Sequence, residues 1–176
     1  MGLHVWVLRS VGNVPQFLDL FKQRLIDCYT QQWHSKLMSS SHFECYRSFK
    51  ATIMLESFLH DRSWNRTLRN VLLKFRLGVS DIKCHRYKFY NYNNEMLICP
   101  VCLEAKEDEY HVMFICKTYE TLRHAFIPEH FLHNRNICKM YILLAKSNNY
   151  YITAKYLYHV FKLRKNLVRQ REQDII

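Results

Sequence analysis

Cys99, Cys102, His111 and Cys116 carry the sharpest chemical signal in the chain, spaced as C-x2-C-x8-H-x4-C. Zinc takes four soft or borderline ligands in a tetrahedron, and two cysteines two residues apart can aim both thiolates at one ion. His111 and Cys116 complete the set, at the start of or within a following helix. Four protein ligands leave no open position for water, so an ion held here is structural. Two other readings of these residues are a redox C-x-x-C, which lacks a βαβ context, and buried thiols without a ligand. Cys84 and His85 are the nearest substitute ligands. Cys28, Cys45 and Cys138 read as core residues. Glu107, Asp108 and Glu109 fall in the expected first turn of the following helix, where carboxylates offset its dipole.

Charge supplies the second signal. The chain holds 26 Lys and Arg against 15 Asp and Glu, a formal net charge of +11, which points to a polyanionic partner. Residues 62–88 carry +7 and 134–176 carry +7, whereas 89–133, with the metal motif, carry −4. Arg62, Arg66, Arg69 and Arg76 gather on one face of an expected helix. No acidic residue interrupts them from 62 to 80. Such a face can be merely solvated, although helices built for solubility interleave Glu with Lys. Arg86 and Lys88 alternate with His85, Tyr87, Phe89, Tyr90 and Tyr92, a mixture that can stack on bases and touch phosphates or wrap a small core. Arg164, Lys165 and Arg169, with Lys162 and Arg171, make the last helix basic. RNA or DNA is the partner these residues suggest.

The elements that must position these groups are helices. Three Gly and three Pro in 176 residues are too few for the tight turns of a sandwich, a barrel or a Gly-rich nucleotide fold. The predicted fold is mainly α, with one small zinc-knuckle element. Three segments, 1–61, 62–133 and 134–176, are expected to form one compact unit. A first helix is predicted over Pro15 to Leu37 from Phe17, Phe21, Leu25 and Cys28. A second begins near Phe43, with Tyr46, Phe49 and Ile53 on one face. A third is capped by Asp61 or Ser63 and ends at Gly78, with Trp64, Leu68, Val71, Leu72 and Phe75 as its apolar face. Ser80 to Asn94 reads as extended or irregular. Tyr119, Leu122 and Phe126 continue a helix that Pro128 stops, and two more span about Asn136 to Lys146 and Tyr151 to Arg171. An odd count of seven cysteines, without a signal-peptide pattern, indicates an intracellular chain, nuclear or cytoplasmic. No apolar run approaches a membrane span.

Leu72-Leu73-Lys74-Phe75-Arg76-Leu77-Gly78-Val79-Ser80, His85-Arg86-Tyr87, Cys99-Pro100-Val101-Cys102, Glu107-Asp108-Glu109-Tyr110-His111 and Cys116 through Tyr119 to Arg123 resemble the zinc-binding tail of non-LTR retrotransposon proteins. Upstream, Gln23 to Asp27, Gln32-Trp33 and Tyr46 to Lys50 resemble the stretch that precedes it in jockey-like elements. The likeness covers about residues 17 to 130. It implies zinc on Cys99, Cys102, His111 and Cys116, a basic surface that holds template RNA or target DNA, and an origin downstream of a reverse transcriptase domain. Lys117 stands where that family often has Pro after the last ligand, and His85 where it often has Gly. No paired aspartates of a polymerase palm occur, so the chain itself is expected to be no enzyme. The rival readings are a protein-interaction module, in which the zinc arm docks on a polymerase domain, and a nuclease.

Overall fold

A computed structural model describes residues 14–40, 43–50, 52–87 and 94–174. The chain divides into two compact units, Met1–Ser39 and Ser40–Ile176. The break therefore falls at the serines after the first helix, and residues 40–61 belong with everything that follows. Lys88, Phe89, Tyr90 and Tyr92, which were candidates for nucleic-acid contact, lie outside the described residues.

The described residues of the first unit form one helix, α1 (Val14–Ser39). Phe17 and Phe21 stack at 6.2 Å, and Gln23 donates to Asp27 at 2.8 Å, pairs that support an isolated helix. Cys28, expected in a core, is exposed on it.

The second unit holds α2 (Glu44–Arg47), α3 (Ser57–His60), α4 (Arg66–Arg76), α5 (Lys83–Tyr87), α6 (Glu120–Phe126), α7 (Glu129–Leu132), α8 (Ile137–Ala145) and α9 (Tyr150–Asp174). The described residues form no strand beyond one antiparallel bridge, Ile98 to Lys106, so the mainly α fold stands. None of the described helices is long and apolar enough to cross a membrane.

α4 is closed at both ends by its sequence. Asn65, not Asp61 or Ser63, caps it, accepting from the Thr67 backbone at 2.7 Å. Asp61 and Ser63 instead bond each other in the preceding turn. Gly78 takes φ 69° after the last turn, and Val79 N–H then reaches Lys74 O at 2.9 Å, the bond of a Schellman stop. Leu72 and Phe75 are fully buried and pack along α9, where Ala154, Tyr156, Leu157 and Val160 are as deep. Trp64 sits two residues ahead of α4, against Phe58 at 5.8 Å and Tyr151 at 5.3 Å.

Two expectations are overturned here. Ile53 does not continue the face of Tyr46 and Phe49, because α2 ends at Arg47 and residues 53–56 are not helical. The stretch 80–94 is not wholly irregular, since α5 forms inside it. Its start is held from outside, with Lys83 N–H donating to the Glu107 carboxylate at 2.8 Å and Cys84 N–H to Glu107 O at 3.1 Å. No periodicity announces a helix nucleated by a partner 24 residues away.

Arg76 leaves the basic face altogether. Only 2% exposed, it forks onto Glu56 at 3.0 and 3.2 Å, with the rings of Phe49, Phe58, Tyr150 and Tyr46 about its guanidinium at 4.8 to 5.9 Å. A guanidinium is weakly hydrated and tolerates aromatic faces, so it is the cation that can be buried this way. Burial opposes ionisation of Glu56, but hydrogen bonds from Lys50 and Arg76 outweigh it and hold its carboxyl below the usual range.

Candidate metal centre

The four predicted ligands converge. One ligand atom from each of Cys99, Cys102, His111 and Cys116 lies within 4.8 Å of all the others. A metal ion bound by four such atoms needs them about this close. Cys99, His111 and Cys116 are buried and Cys102 is partly exposed.

The knuckle is built by a tight hairpin. Cys99 N–H bonds Ala105 O at 2.8 Å, Leu103 N–H bonds Cys99 O at 2.9 Å, and Glu107 N–H bonds Leu97 O at 2.8 Å. Closing it puts Leu103 at φ 61°, a conformation that costs a non-glycine residue roughly 1–2 kcal/mol. The other two ligands flank one π-helical turn, His111–Ile115, whose wider coil swings Cys116 round to His111. Cys116 N–H closes that turn onto His111 O at 2.8 Å. The ligands therefore do not ride on a regular α-helix.

A wide turn leaves carbonyls without intrahelical partners, and arginines take them. Arg123, fully buried, donates to Met113 O at 2.9 Å and to Cys116 O. Arg135 donates to Phe114 O at 2.7 Å. Glu120 binds both guanidiniums, and its contacts with Arg135 hold its carboxyl below the usual range. Three residues of α9 reach the same arm. Tyr156 donates to Val112 O at 2.7 Å, Arg164 pairs with Glu107, and Arg171 donates to Val101 O at 2.8 Å.

Electrostatics inside the cluster suit a cation. The hydrogen bond with Cys116 and burial together push the Cys99 thiol up to about 12, and the same bond holds Cys116 down. Three thiols packed this closely cannot all ionise without a positive charge among them. His111 points Nε2 at Cys102 Sγ, 3.4 Å away, while its Nδ1 is buried without a hydrogen-bond partner. The ring thus belongs to the sulfur cluster. These residues fit a bound metal ion.

The acidic run after the knuckle has three separate jobs. Only Asp108 acts as a cap, accepting from His111 N–H at 2.7 Å. Glu107, fully buried, accepts from Arg164 Nε at 2.8 Å and Nη2 at 3.0 Å, and Cys99 Sγ lies 3.8 Å from the oxygen that takes Nε. Glu109 meets Cys84 and His85, the proposed substitute ligands, in a second cluster of potential metal-binding groups. There Ser80 N–H donates to His85 Nδ1 at 3.2 Å, which leaves the ring proton on Nε2, facing Glu109 Oε1 at 2.8 Å. Both ring nitrogens are thereby engaged, so His85 serves as a tie between the α4–α5 turn and the arm. Of the remaining cysteines, Cys45 is buried as expected, whereas Cys138 is exposed at the start of α8.

The nine candidate nucleic-acid residues separate. Arg62, Arg66, Arg86, Lys165 and Arg169 are exposed, and Arg69 is half-buried, reaching Leu59 O at 3.4 Å. Arg76 is a correction, since it is buried against Glu56 and leaves the surface, and Arg164 is buried against Glu107 with only its Nη1 turned toward the exposed Asp81. The sequence signal for these two was each one's place on the apolar side of its helix: Arg76 follows Leu72 by four, and Arg164 follows Val160 by four. Compared with protein-family models, curated proteins and solved structures, the chain matches none.

Proposed function

We propose that the second unit is a zinc-stabilised, nucleic-acid-binding domain without catalysis of its own, derived from the C-terminal region of a retroelement reverse transcriptase protein. Cys99, Cys102, His111 and Cys116 would hold one zinc ion. Four protein ligands exclude a reactive water, so the metal's contribution is to folding. The observation that carries the nucleic-acid reading is the convergence of exposed cations from different elements. Lys74 of α4, Arg86 of α5 and Lys165 of α9 line one cleft, although they are 91 positions apart at the extremes. Phosphate contacts from these residues give salt-dependent affinity with little sequence preference.

Filter binding of RNA and DNA by the zinc-loaded chain across a salt series tests this. Affinity should fall steadily as salt rises. No binding at low salt would refute it. The second reading, an interaction module that docks on a polymerase domain, is favoured by the exposed side chains of Leu103 and Ile115 on the acidic metal-binding arm, and would then stand.

A further inference from the structure

The cleft that Lys74, Arg86 and Lys165 line has a volume of about 430 Å³, within the range of about 300–1,000 Å³ typical of small-ligand sites. Apolar Val71, Val79 and Phe161 line it together with the cations Lys74, Arg86, Arg164 and Lys165. Arg164 gives Nε and Nη2 to Glu107 and turns Nη1 into the cleft. One carboxylate, Asp81, occupies the gap between the guanidiniums. It meets Arg86 Nη2 on one oxygen and Arg164 Nη1 on the other at 3.5 Å, with its own side chain 54% exposed. Two guanidiniums sharing one half-exposed oxyanion, with two lysines at the rim, form the arrangement that a phosphate recruits, because it offers the same paired acceptor oxygens with more charge.

We propose that this cleft binds a nucleotide through its phosphate, and that Asp81 is a resident stand-in which the phosphate displaces. The proposal rests on the nucleic-acid reading and assigns it a site. The phosphate takes the place of the Asp81 carboxylate between Arg86 and Arg164, Lys74 and Lys165 neutralise it from the rim, and the Phe161 wall faces the base or sugar. Asp81 thereby discriminates against weak anions, since a ligand must outcompete an intramolecular carboxylate.

The test uses the zinc-loaded full chain, with a fluorescein-labelled single-stranded oligonucleotide in one arm and AMP in the other. Asp81→Asn should tighten binding about tenfold. Glu104→Gln, the same charge change at an exposed carboxylate outside the cleft that pairs with Lys117, should move it less than about twofold, as expected of a surface charge. Lys74→Gln with Lys165→Gln should weaken the oligonucleotide and lower its salt slope by about 1.4, at about 0.7 per phosphate contact on a single strand. Equal effects of Asp81→Asn and Glu104→Gln, or an unchanged salt slope in the lysine pair, would overturn the site while leaving nucleic-acid binding elsewhere intact. If the oligonucleotide does not bind at all, the parent reading fails and the AMP arm decides the cleft. AMP affinity raised by Asp81→Asn supports a free-nucleotide site, and no AMP binding overturns it.

Discussion

Glu107→Gln should destabilise the second unit by about 4 kcal/mol. The side chain is fully buried and its carboxylate meets Arg164 in a two-pronged pair, at 2.8 and 3.0 Å, with the Lys83 amide as a third donor. Removing one member of a buried pair leaves the other charge uncompensated, at a cost of about 3–5 kcal/mol. A glutamine also turns an NH2 toward groups that donate, so one donor loses its acceptor, but that loss overlaps the first and is not added to it. Domains are stable by about 5–15 kcal/mol, so urea unfolding followed by circular dichroism should show a large fall in midpoint. The double variant Glu107→Gln with Arg164→Met isolates the cause. With both charges gone the penalty should shrink to about 1–2 kcal/mol, since an apolar pair of similar volume often replaces a buried ion pair at little cost. Arg164→Met alone should act differently again. It leaves a buried carboxylate 3.8 Å from Cys99 Sγ, so the cluster should surrender its metal at lower chelator concentration than in Glu107→Gln. A Glu107→Gln loss below about 1 kcal/mol, or a double variant no better than the single, would refute this account.

Further expectations concern the metal, the strained knuckle, the core and acid. Cys99→Ser or Cys116→Ser, like chelation, should remove most of a folding contribution on the order of 10 kcal/mol; less than half an equivalent of zinc per purified chain would count against the site. Leu103→Gly should stabilise the metal-loaded unit by about 1 kcal/mol by relieving the left-handed backbone, and a lower unfolding midpoint would contradict that. Phe75→Ala should cost about 3–5 kcal/mol for a fully buried ring, read from the same urea curves. Glu56 is held below the usual carboxylate range, so in acid the unfolded chain takes up its proton first. Its contribution is therefore present above about pH 4.3, the ordinary glutamate value, and is lost as pH falls through the lower folded value. Glu56→Gln should flatten that acid limb, and an unchanged slope would show that other groups set it.

Where a position's neighbours along the chain decide its structure, the sequence was readable. Gly78 closes α4 because a left-handed residue is needed there, and α8 and α9 run close to their predicted ends. The ligand quartet was legible for the same reason, since a hairpin knuckle and one helical turn are local constructions. Partners far away in sequence were not. Cys28 and Cys138 look like core residues by composition yet sit on solvent-facing sides of their helices. Glu107, Asp108 and Glu109 look like one acidic turn, but they face a buried arginine, a backbone amide and a histidine respectively. The wide turn at His111–Ile115 escaped a 3.6-residue period because it departs from that period.

The same distinction governs how net charge converts into a binding surface. A face counted at 100° per residue groups Arg76 with Arg62, Arg66 and Arg69, although it also follows Leu72 by four, and composition assigns Arg164 to the basic tail. Each is instead held inward by a carboxylate, the partly buried Glu56 in one case and the fully buried Glu107 in the other. Each of these two pairs therefore subtracts a guanidinium from the exposed basic set. The cations on the outside are therefore not the two stretches of +7 but a smaller set that geometry leaves exposed, with Lys74, Arg86 and Lys165 gathered at one cleft. If binding followed total charge, Arg62→Glu and Lys165→Glu would weaken it equally. If it follows convergence, Lys165→Glu should weaken it several-fold more, and equal losses in a salt titration of the two variants would restore the simpler electrostatic view.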